Sequence, residues 1–454
     1  MQIPNWIQDS IFYHIYPLGL CGAPERNDFN LAPVNRLDVL TQWIPHLLSL
    51  GINAVYLGPV FESLSHGYDT TDYMQVDRRL GTNADLAVLV DVFHQNGIKV
   101  ILDAVFNHTG RAFPAFMDVQ RNGQASPYCS WFAGLDFSKT SPEGDPFTYH
   151  TWAGHYSLVK LNLQNPEVKD YLLQAVRLWF EQFHIDGLRL DAIDQVHPDF
   201  LRALHRTVQE LNPQAWLMGE AVGGDYKTWA NPEMVHSITN YECYKGLYSS
   251  HNDQNLFEIA WGFKRQSGPE GIYKDLLLYN FVDNHDVNRL ASMVNRQEYL
   301  GTIYTLLYTM PGVPSIYYGS EWGIPGKKTD YSDRDLRPAL VLQNMQANPP
   351  QPWLVPWLQQ LAGIRHTQAA LKMGDYQEVY LQSKQFAFLR GLWNEDILTA
   401  INIAPESVTI KLQLPVQKNQ WTDLLHPVES FTGNNGQLEM VLPAFGSRIL
   451  KAQD

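Results

Sequence analysis

Short apolar runs rich in β-forming residues alternate eight times with helix-length segments, and this alternation limits the fold more than any other feature of the chain. Such runs are typical of strands buried on both faces, and the amphipathic stretches between them predict helices. Eight strand–helix units favour a closed parallel (β/α)8 barrel. An open doubly wound sheet is the alternative, but no G-x-G-x-x-G motif follows the first strand. The predicted strands are residues 11–17, 52–58, 98–104, 185–191, 215–220, 234–239, 277–283 and 313–319.

Two departures from this alternation divide the chain further. A long segment rich in Pro, Gly and aromatic residues, 109–164, follows the third strand and predicts a small subdomain. After about residue 370 the β runs are separated by turn signals with no helices between them, which predicts an antiparallel β-sandwich. We therefore expect an α/β protein with a (β/α)8 TIM barrel built from residues 1–108 and 165–370. The loop subdomain 109–164 interrupts this barrel, and a C-terminal β-sandwich domain spans 371–454.

Composition narrows the class of partner. The 454 residues carry a formal net charge of −14, whereas nucleic-acid binding depends on basic contacts to phosphate and anionic lipid attracts basic patches. No stretch approaches the roughly 20 apolar residues of a membrane span, and the N-terminus lacks a secretory signal pattern. The three cysteines are widely spaced, which argues against a disulfide framework. We expect a cytoplasmic protein that binds neither nucleic acid nor membrane.

Polar residues gather at the carboxyl ends of the predicted strands. In a barrel of this kind, catalytic groups come from these ends and from the loops that follow them. Each residue alone can be explained as a cap, a turn residue or half of an ion pair. Four strand ends that supply acids, histidines and an arginine to one rim are harder to explain by packing and indicate a functional site. The set comprises Asp103, Asn107, His108, Arg189, Asp191, Glu220, His285 and Asp286.

The type of chemistry follows partly by elimination. The chain has no H-x-H or H-E-x-x-H motif of the common metallohydrolases and no G-x-S-x-G nucleophile elbow. The Gly-rich stretch at 222–225 is too short for a phosphate-binding loop. Paired carboxylates that need no cofactor are the equipment of glycoside hydrolysis. The abundance of aromatic residues, 13 Trp and 23 Tyr, suits either an ordinary core or a cleft that stacks on sugar rings.

Several motifs occur in order along nearly the whole chain, and together they resemble the α-amylase family of glycoside hydrolases. The motif "LVKLN" is similar to the form found in the cyclomaltodextrinase, neopullulanase and maltogenic amylase group, and "HGYDTTDY" points the same way. The motifs are "HGYDTTDYMQVDRRLGT" (66–82), "DAVFNH" (103–108), "LVKLN" (158–162), "GLRLDAIDQV" (187–196), "GE" (219–220) and "FVDNHD" (281–286).

The resemblance implies a role for each of three carboxylates. Asp191 matches the nucleophile that forms a glycosyl–enzyme intermediate. Glu220 matches the general acid/base, which protonates the leaving oxygen and then activates water. Asp286 matches the carboxylate that holds sugar hydroxyls and stabilises the oxocarbenium-like transition state.

It also implies contacts around the nucleophile. Arg189, two residues before Asp191 on the same face of a strand, matches an arginine that lowers the pKa of the nucleophile and keeps it ionised. Tyr68 matches the stacking platform for the sugar at the scissile position, and we expect its neighbour Asp69 to pair with Arg189 or nearby groups. His108 and His285 match hydrogen-bond donors to that sugar.

Two further assignments depend on the resemblance. In "DYSDRDLRPAL" (330–340), Asp335 and Arg337 lie where the family often binds the next sugar, with a solvated charge cluster as the alternative. Asn107 matches a position that binds structural calcium in many members, although Asn is also common in caps and turns. No cofactor is required, and calcium is the only metal that the resemblance allows.

The implied activity is retaining hydrolysis of α-1,4-glucosidic bonds in short linear or cyclic maltodextrins. Starch-cleaving members carry Lys-His where this chain has Asp194 and Gln195, and Val222 stands where the cyclomaltodextrinase group commonly has Trp. The first strand begins near residue 11, so we expect the group's N-terminal domain to be absent and a monomer to be favoured over a homodimer. The alternatives are a transglycosylase, a sucrose-active or α-glucosidase-type member, or a non-catalytic binding subunit, which retention of all three carboxylates disfavours.

Overall fold

The computed structural model describes residues 3–453, and the alternating sequence pattern forms the predicted strands and helices. The strands are β1 (Phe12–Ile15), β2 (Ala54–Leu57), β3 (Phe61–Ser63), β4 (Thr70–Val76), β5 (Lys99–Ala104), β6 (His108–Gly110), β7 (Thr151–Trp152), β8 (His155–Lys160), β9 (Gly187–Leu190), β10 (Trp216–Gly219), β11 (Ser237–Ile238), β12 (Tyr279–Asn280), β13 (Val313–Tyr317), β14 (Asp375–Leu381), β15 (Gln385–Leu392), β16 (Glu395–Asn402), β17 (Val408–Gln413), β18 (Gln420–Asp423), β19 (Ser430–Thr432), β20 (Gln437–Leu442) and β21 (Ser447–Ala452).

Helices separate most of the barrel strands and pack around them. The helices are α1 (Asn5–Gln8), α2 (Pro17–Leu20), α3 (Ile44–Ser49), α4 (Asn83–Gln95), α5 (Pro114–Asn122), α6 (Pro166–Phe183), α7 (Pro198–Leu211), α8 (Tyr241–Asn252), α9 (Phe257–Ser267), α10 (Leu290–Met293), α11 (Tyr299–Thr309), α12 (Leu342–Ala347), α13 (Leu354–Thr367) and α14 (Ala369–Met373).

Eight parallel strands form the barrel, which confirms the predicted fold class. Their order is β11-β10-β9-β5-β2-β1-β13-β12. A parallel bridge between Thr239 and Tyr279 joins the two ends of this sheet, so the barrel closes. Each of the eight predicted runs contains one barrel strand, although the sixth and seventh runs supply only the two-residue strands β11 and β12.

The alternation of side chains along each strand creates two layers inside the barrel. Phe12, Ala54 and Ile101 belong to one buried apolar cluster. Two residues further along the same strands, on the same face, are His14, Tyr56 and Asp103. The polar layer therefore lies at the carboxyl end of the barrel, directly above an apolar floor. This arrangement positions the site.

Local sequence signals explain where the helices begin. At α4, Thr82 and Asp85 form a capping box, in which the side chain of each bonds to the backbone N–H of the other. At α6, Asn165 caps the helix and Pro166 occupies its first turn, and the helix ends at His184 in the left-handed conformation. The apolar faces of these helices are buried against the barrel in the main core.

The predicted subdomain and C-terminal domain are both present. In the segment after β5, strands β6, β8 and β7 form a small antiparallel sheet beside α5. The C-terminal domain has a six-stranded antiparallel sheet and a two-stranded ribbon of β17 and β20. Apolar residues from both sheets form one cluster, which makes this domain a sandwich.

One structural element was missing from the sequence-based expectation. The segment after β2 forms an antiparallel hairpin of β3 and β4, with register shifts at Glu62. Such irregular pairing lacks the strict two-residue alternation that predicts a strand, which explains the omission.

None of the helices in residues 3–453 is long and apolar enough to cross a membrane.

Candidate active site

Arg189 is the centre of the polar layer at the carboxyl end of the barrel. The register of β5 and β9 pairs Asp103 with Arg189, so both side chains point inward at the same level. The guanidinium group is fully buried and touches three carboxylates. Its Nη1 donates to Asp103 Oδ1 at 2.8 Å and to Asp191 Oδ1 at 3.0 Å, and its Nη2 lies 2.6 Å from Glu220 Oε2. One cation therefore orients side chains from three neighbouring strands.

Asp103 holds Arg189 and two tyrosine side chains in position. Its Oδ2 accepts hydrogen bonds from the hydroxyl groups of Tyr56 at 2.6 Å and Tyr68 at 2.9 Å. Both of its oxygens also accept from Arg189, and its side chain is fully buried. Asp103 is therefore a positioning residue for Arg189 and Tyr68.

The backbone places Asp191 and Glu220 immediately after their strands. The amide of Asp191 donates to Ala104 O, and the amide of Glu220 donates to Leu190 O, so both residues continue the sheet bonding. The strand before Glu220 ends in Gly219, where a Cβ atom would lie 2.5 Å from Ile193 Cδ1. A larger residue at this position would require the Ile193 side chain to shift. The hydroxyl of Tyr241 donates to Glu220 Oε1 at 3.0 Å and fixes the second carboxylate oxygen.

Asp286 is held by a second cation on the opposite side. Arg337 Nη2 lies 2.9 Å from Asp286 Oδ1 and 2.7 Å from Asp333 Oδ2, and His285 Nε2 lies 3.0 Å from Asp286 Oδ2. Tyr68 also hydrogen-bonds to His285 and stacks on its ring. These contacts connect Asp286 to the Arg189 cluster through Tyr68.

The three carboxylates converge on one open cleft of about 590 Å³. This volume lies within the range of pockets that hold small ligands. The lining combines aromatic, charged and imidazole groups: His66, Tyr68, His108, Trp152, His155, Ser157, Leu158, Asp191, Glu220, Val222, Tyr241, Tyr244, Asp286, Val287, Lys328, Asp333 and Arg337.

The pKa of Asp191 is raised well above its usual value, although Arg189 lowers it as expected. Burial is the largest cause, and Arg189 opposes it only in part. The charges of Glu220, Asp103 and Asp286 raise this pKa further. The sequence could not show that one arginine is shared among three carboxylates. Asp191 therefore binds a proton at higher pH than an isolated carboxyl group does.

Asp286 behaves in the opposite way. Burial alone would raise its pKa, but the charge and hydrogen bond of His285 and the charge of Arg337 outweigh burial and lower the pKa. Asp286 is therefore ionised across the ordinary pH range. The environment thus separates the titration of two carboxylates in one cleft.

His108 lies in the cleft wall with a free ring nitrogen. Burial lowers its pKa to about 3, so the ring is neutral at neutral pH. Asn107 Nδ2 lies 3.2 Å from His108 Nδ1. With this amide as donor, the proton of the neutral ring is on Nε2. That atom has no hydrogen-bond partner among the described residues, so it is available to donate to a ligand.

Of the two expected pairings, Asp69 bonds to nearby groups and not to Arg189. Asp69 accepts from the backbone and hydroxyl of Ser65 at 3.1 and 2.6 Å, and His66 lies 4.0 Å away. The partner of Arg189 at this level is Asp103 instead. The loop before β4 turns Asp69 away from the cleft, and its role is to hold that loop beside Tyr68.

The assignment of Asp335 is also wrong, and Asp333 takes its place. A short 3-10 turn over Arg334–Leu336 brings Asp333 and Arg337, four residues apart, into contact. Asp333 and Arg337 line the cleft, whereas Asp335 lines a separate surface depression.

Substitution of Asp333 by Asn should raise KM for an oligosaccharide about tenfold and change kcat much less, because Arg337 loses one of its two carboxylate partners. Asp335→Asn is the matched control and should leave both constants unchanged. Steady-state kinetics of the two variants provides the comparison. An equal loss in both would contradict the assignment of Asp333.

The residues around Asn107 do not fit a calcium site. Calcium requires six to eight oxygen ligands, usually including carboxylates. Asn107 Oδ1 is buried without a partner, but its neighbour is His108. In the subdomain, Asp145 is already occupied by Arg111, Ser141 and Gln120. Across residues 3–453 no group of three or more His, Cys, Asp or Glu side chains could hold a metal ion.

Several site residues were not predicted. Tyr56, Tyr241, Asp333, Trp152 and Lys328 contribute to the cluster or the cleft wall. Tyr56 could have been found, because it lies in a predicted strand and shares an inward face with Asp103. The other four lie on loops, a short strand or a helix start whose approach to the cleft depends on tertiary packing.

Comparison with known proteins agrees with this geometry. Residues 28–385 match the alpha amylase catalytic domain, and residues 380–453 match the alpha amylase C-terminal all-beta domain. A cyclomaltodextrinase from Bacillus sp is 32% identical over 422 residues, covering 88% of this chain and 74% of the relative. Neopullulanase 2 from Thermoactinomyces vulgaris is 32% identical over 475 residues, covering 98% of this chain and 78% of the relative.

Solved structures give the same result. A cyclomaltodextrinase superposes with a TM-score of 0.87 at 28% identity, covering 100% of this chain and 79% of that chain. The debranching enzyme from Nostoc punctiforme superposes with a TM-score of 0.84 at 31% identity, covering 99% of this chain and 100% of that chain.

A parallel barrel with this C-terminal domain and these relatives defines an α-amylase-type glycoside hydrolase. The chain belongs to the α-amylase family and is related to its cyclomaltodextrinases, neopullulanases and maltogenic amylases.

Proposed function

We propose that this protein hydrolyses α-1,4-glucosidic bonds in short linear or cyclic maltodextrins with retention of configuration. The observation that carries the proposal is the binding of Asp191 and Glu220 by a single guanidinium group in the same cleft as Asp286. Retaining hydrolysis uses two carboxyl groups at one anomeric carbon, one as the nucleophile and the other as the acid/base, and this pair can supply both.

The roles follow from the surroundings of each group. Asp191 attacks the anomeric carbon and forms the glycosyl–enzyme bond while the leaving oxygen takes a proton from Glu220. Glu220 then removes a proton from water, which attacks the same carbon and releases Asp191. Tyr241 holds Glu220 Oε1 and Arg189 contacts Glu220 Oε2, so both carboxylate oxygens are fixed in position.

The remaining side chains hold the sugar. Ionised Asp286 lies on the Arg337 side of the cleft and stabilises positive charge at the anomeric carbon. His108 Nε2 donates to a sugar hydroxyl. Tyr68 and Trp152 offer aromatic surface to sugar faces in the cleft.

The names of the relatives support small α-glucans as the substrate class. They include cyclomaltodextrinases and a maltogenic alpha-amylase, and one matching relative is an intracellular maltogenic amylase. We propose a cytoplasmic location on the same basis. The three cysteines are free thiols, as expected in a reducing compartment.

Cleavage of α-1,6 branches is a second candidate. The Nostoc debranching enzyme matches this chain across almost its full length. A transglycosylase would use the same carboxylates, with a sugar hydroxyl in place of water in the second step.

Chromatography of products from maltotriose, β-cyclodextrin, pullulan, starch and sucrose distinguishes these functions. We expect rapid cleavage of maltotriose and β-cyclodextrin, slow cleavage of starch, and panose as the product from pullulan. Maltotriose as the pullulan product would move the main activity to α-1,6 bonds. Products longer than the substrate, or activity on sucrose alone, would contradict the hydrolase proposal.

A further inference from the structure

We propose that a second cavity, between α8 and α9, binds the part of a maltodextrin that lies beyond the scissile bond on the leaving-group side. The inference rests on the proposed function and specifies which substrates it favours. We name this cavity the α8–α9 groove. Its volume is about 620 Å³, and it is lined by Val222, Gly223, Gly224, Tyr226, Tyr241, Glu242, Tyr244, Lys245, Gly246, Glu258, Ile259, Trp261, Gly262 and Arg265.

The groove continues directly from the catalytic cleft. Val222, Tyr241 and Tyr244 line both cavities, so a chain can pass from one to the other along a shared wall. Tyr241 binds Glu220 through its hydroxyl at 3.0 Å. Because Glu220 protonates the leaving oxygen, the sugars that leave are those next to Tyr241. The direction of the groove is therefore the leaving-group direction.

Trp261 supplies a free aromatic surface in this groove. It is 64% exposed, which is unusual for so large an apolar side chain. On α9 it belongs to a stripe at helical spacing, Glu258, Trp261, Gly262 and Arg265, which lines one wall of the groove. Gly262 leaves space beside the indole ring. Sugar rings stack on exposed aromatic faces of this kind.

Two ion pairs cross the groove on either side of the aromatic residue. Lys245 on α8 pairs with Glu258 on α9 at 2.5 Å, and Arg265 on α9 pairs with Glu242 on α8 at 2.5 Å. Charged groups fixed in place along an aromatic floor offer both donors and acceptors to sugar hydroxyls. Opposite charges are balanced here, which suits a neutral ligand better than an ionic one.

The test compares a substrate that extends into the groove with one that does not. Maltopentaose places sugars on the leaving-group side, whereas p-nitrophenyl α-maltoside has only an aryl leaving group. In Trp261→Ala the ratio of kcat/KM for maltopentaose to kcat/KM for the aryl maltoside should fall five- to twentyfold, the loss expected for one stacked ring. Trp261→Phe should retain most of the ratio.

Trp393→Ala is the matched control, because Trp393 is 87% exposed in the C-terminal domain and lines neither cavity. It should leave the ratio unchanged. An unchanged ratio in Trp261→Ala would overturn the proposal. A changed sedimentation coefficient in Trp261→Ala, without a kinetic effect, would also overturn the proposal. That result would assign the exposed ring to contact between copies of the chain. Absence of cleavage of both substrates by the wild type would instead contradict the proposed function.

Discussion

Replacement of Asp191 by Asn should lower kcat by about 10⁴-fold or more, which corresponds to about 5 kcal/mol of transition-state stabilisation at 1.36 kcal/mol per tenfold. Asn has nearly the same shape but cannot attack the anomeric carbon, so the covalent step is lost. Binding should persist, because Asp286, Arg337 and His108 are unchanged. Steady-state rates with p-nitrophenyl α-maltoside, together with binding of maltotriose by calorimetry, measure the two effects separately.

The same variant should be more stable than the wild type at neutral pH. The folded-state pKa of Asp191 is raised by burial, so the folded protein binds more protons at this site than the unfolded chain does. Its contribution to stability is present below the unfolded pKa and is lost as pH rises through the folded pKa. Asn removes this unfavourable ionisation while Arg189 retains two carboxylate partners. We expect the Tm of Asp191→Asn to rise by about 1–3 °C at pH 7, with a smaller rise at pH 4.5.

Asp194→Asn is the matched control, since it makes the same chemical change three residues along the chain at an exposed position. It should alter neither kcat nor Tm. Wild-type turnover in Asp191→Asn would reject Asp191 as the nucleophile. A lower Tm at pH 7 would show that the pairing with Arg189 outweighs the cost of burial.

Replacement of Arg189 by Met should destabilise the protein by about 3–5 kcal/mol, the cost of leaving a buried charge without its partner. Three carboxylates lose their shared cation: Asp103, Asp191 and Glu220. Thermal unfolding should show a Tm lower by about 3–5 °C. Activity should also fall, because the nucleophile and the acid/base lose their common orientation.

The loss of stability in Arg189→Met should increase with pH. Arg189 lowers the pKa of Asp191, so without this cation the folded-state pKa of Asp191 rises further and the folded variant takes up protons as pH falls. The difference in Tm from the wild type should therefore be larger at pH 8 than at pH 5. Arg177→Met is the control, since Arg177 pairs with Glu210 at the surface at 3.3 Å; it should change stability by less than about 1 kcal/mol at both pH values. A difference in Tm independent of pH would contradict this account of the cluster.

The barrel could be predicted from the sequence because its signals are local and repeated. Eight apolar runs each contain a strand, and the two-residue alternation within β5 and β9 correctly places Asp103 and Arg189 on one inward face. The motifs at the strand ends also predicted which carboxylates share a cleft. In a parallel barrel all carboxyl ends meet at one rim, so knowledge of the strands is enough to bring Asp191, Glu220 and Asp286 together.

The predictions that failed depend on tertiary contacts, which local sequence patterns do not reveal. Asp335 was assigned to the sugar site and Asp333 was not considered, because only the 3-10 turn decides which aspartate faces Arg337. The expectation for the pKa of Asp191 considered one arginine and one aspartate, whereas the folded cluster has four carboxylates that influence one another. Trp261 belongs to no motif found in the sequence. Its position beside the cleft depends on the packing of α8 against α9.

The most direct test of the central claim is to identify the residue that carries the sugar in the covalent intermediate. Glu220→Gln should react with α-maltosyl fluoride, whose leaving group needs no acid, and then accumulate the intermediate because no base activates water. After acid quench and trypsin digestion, mass spectrometry should find one maltosyl group on the peptide 190–202, with fragmentation assigning it to Asp191. A maltosyl group on another residue, or release of β-maltose from wild-type cleavage of an α-linked substrate without any adduct, would contradict the mechanism.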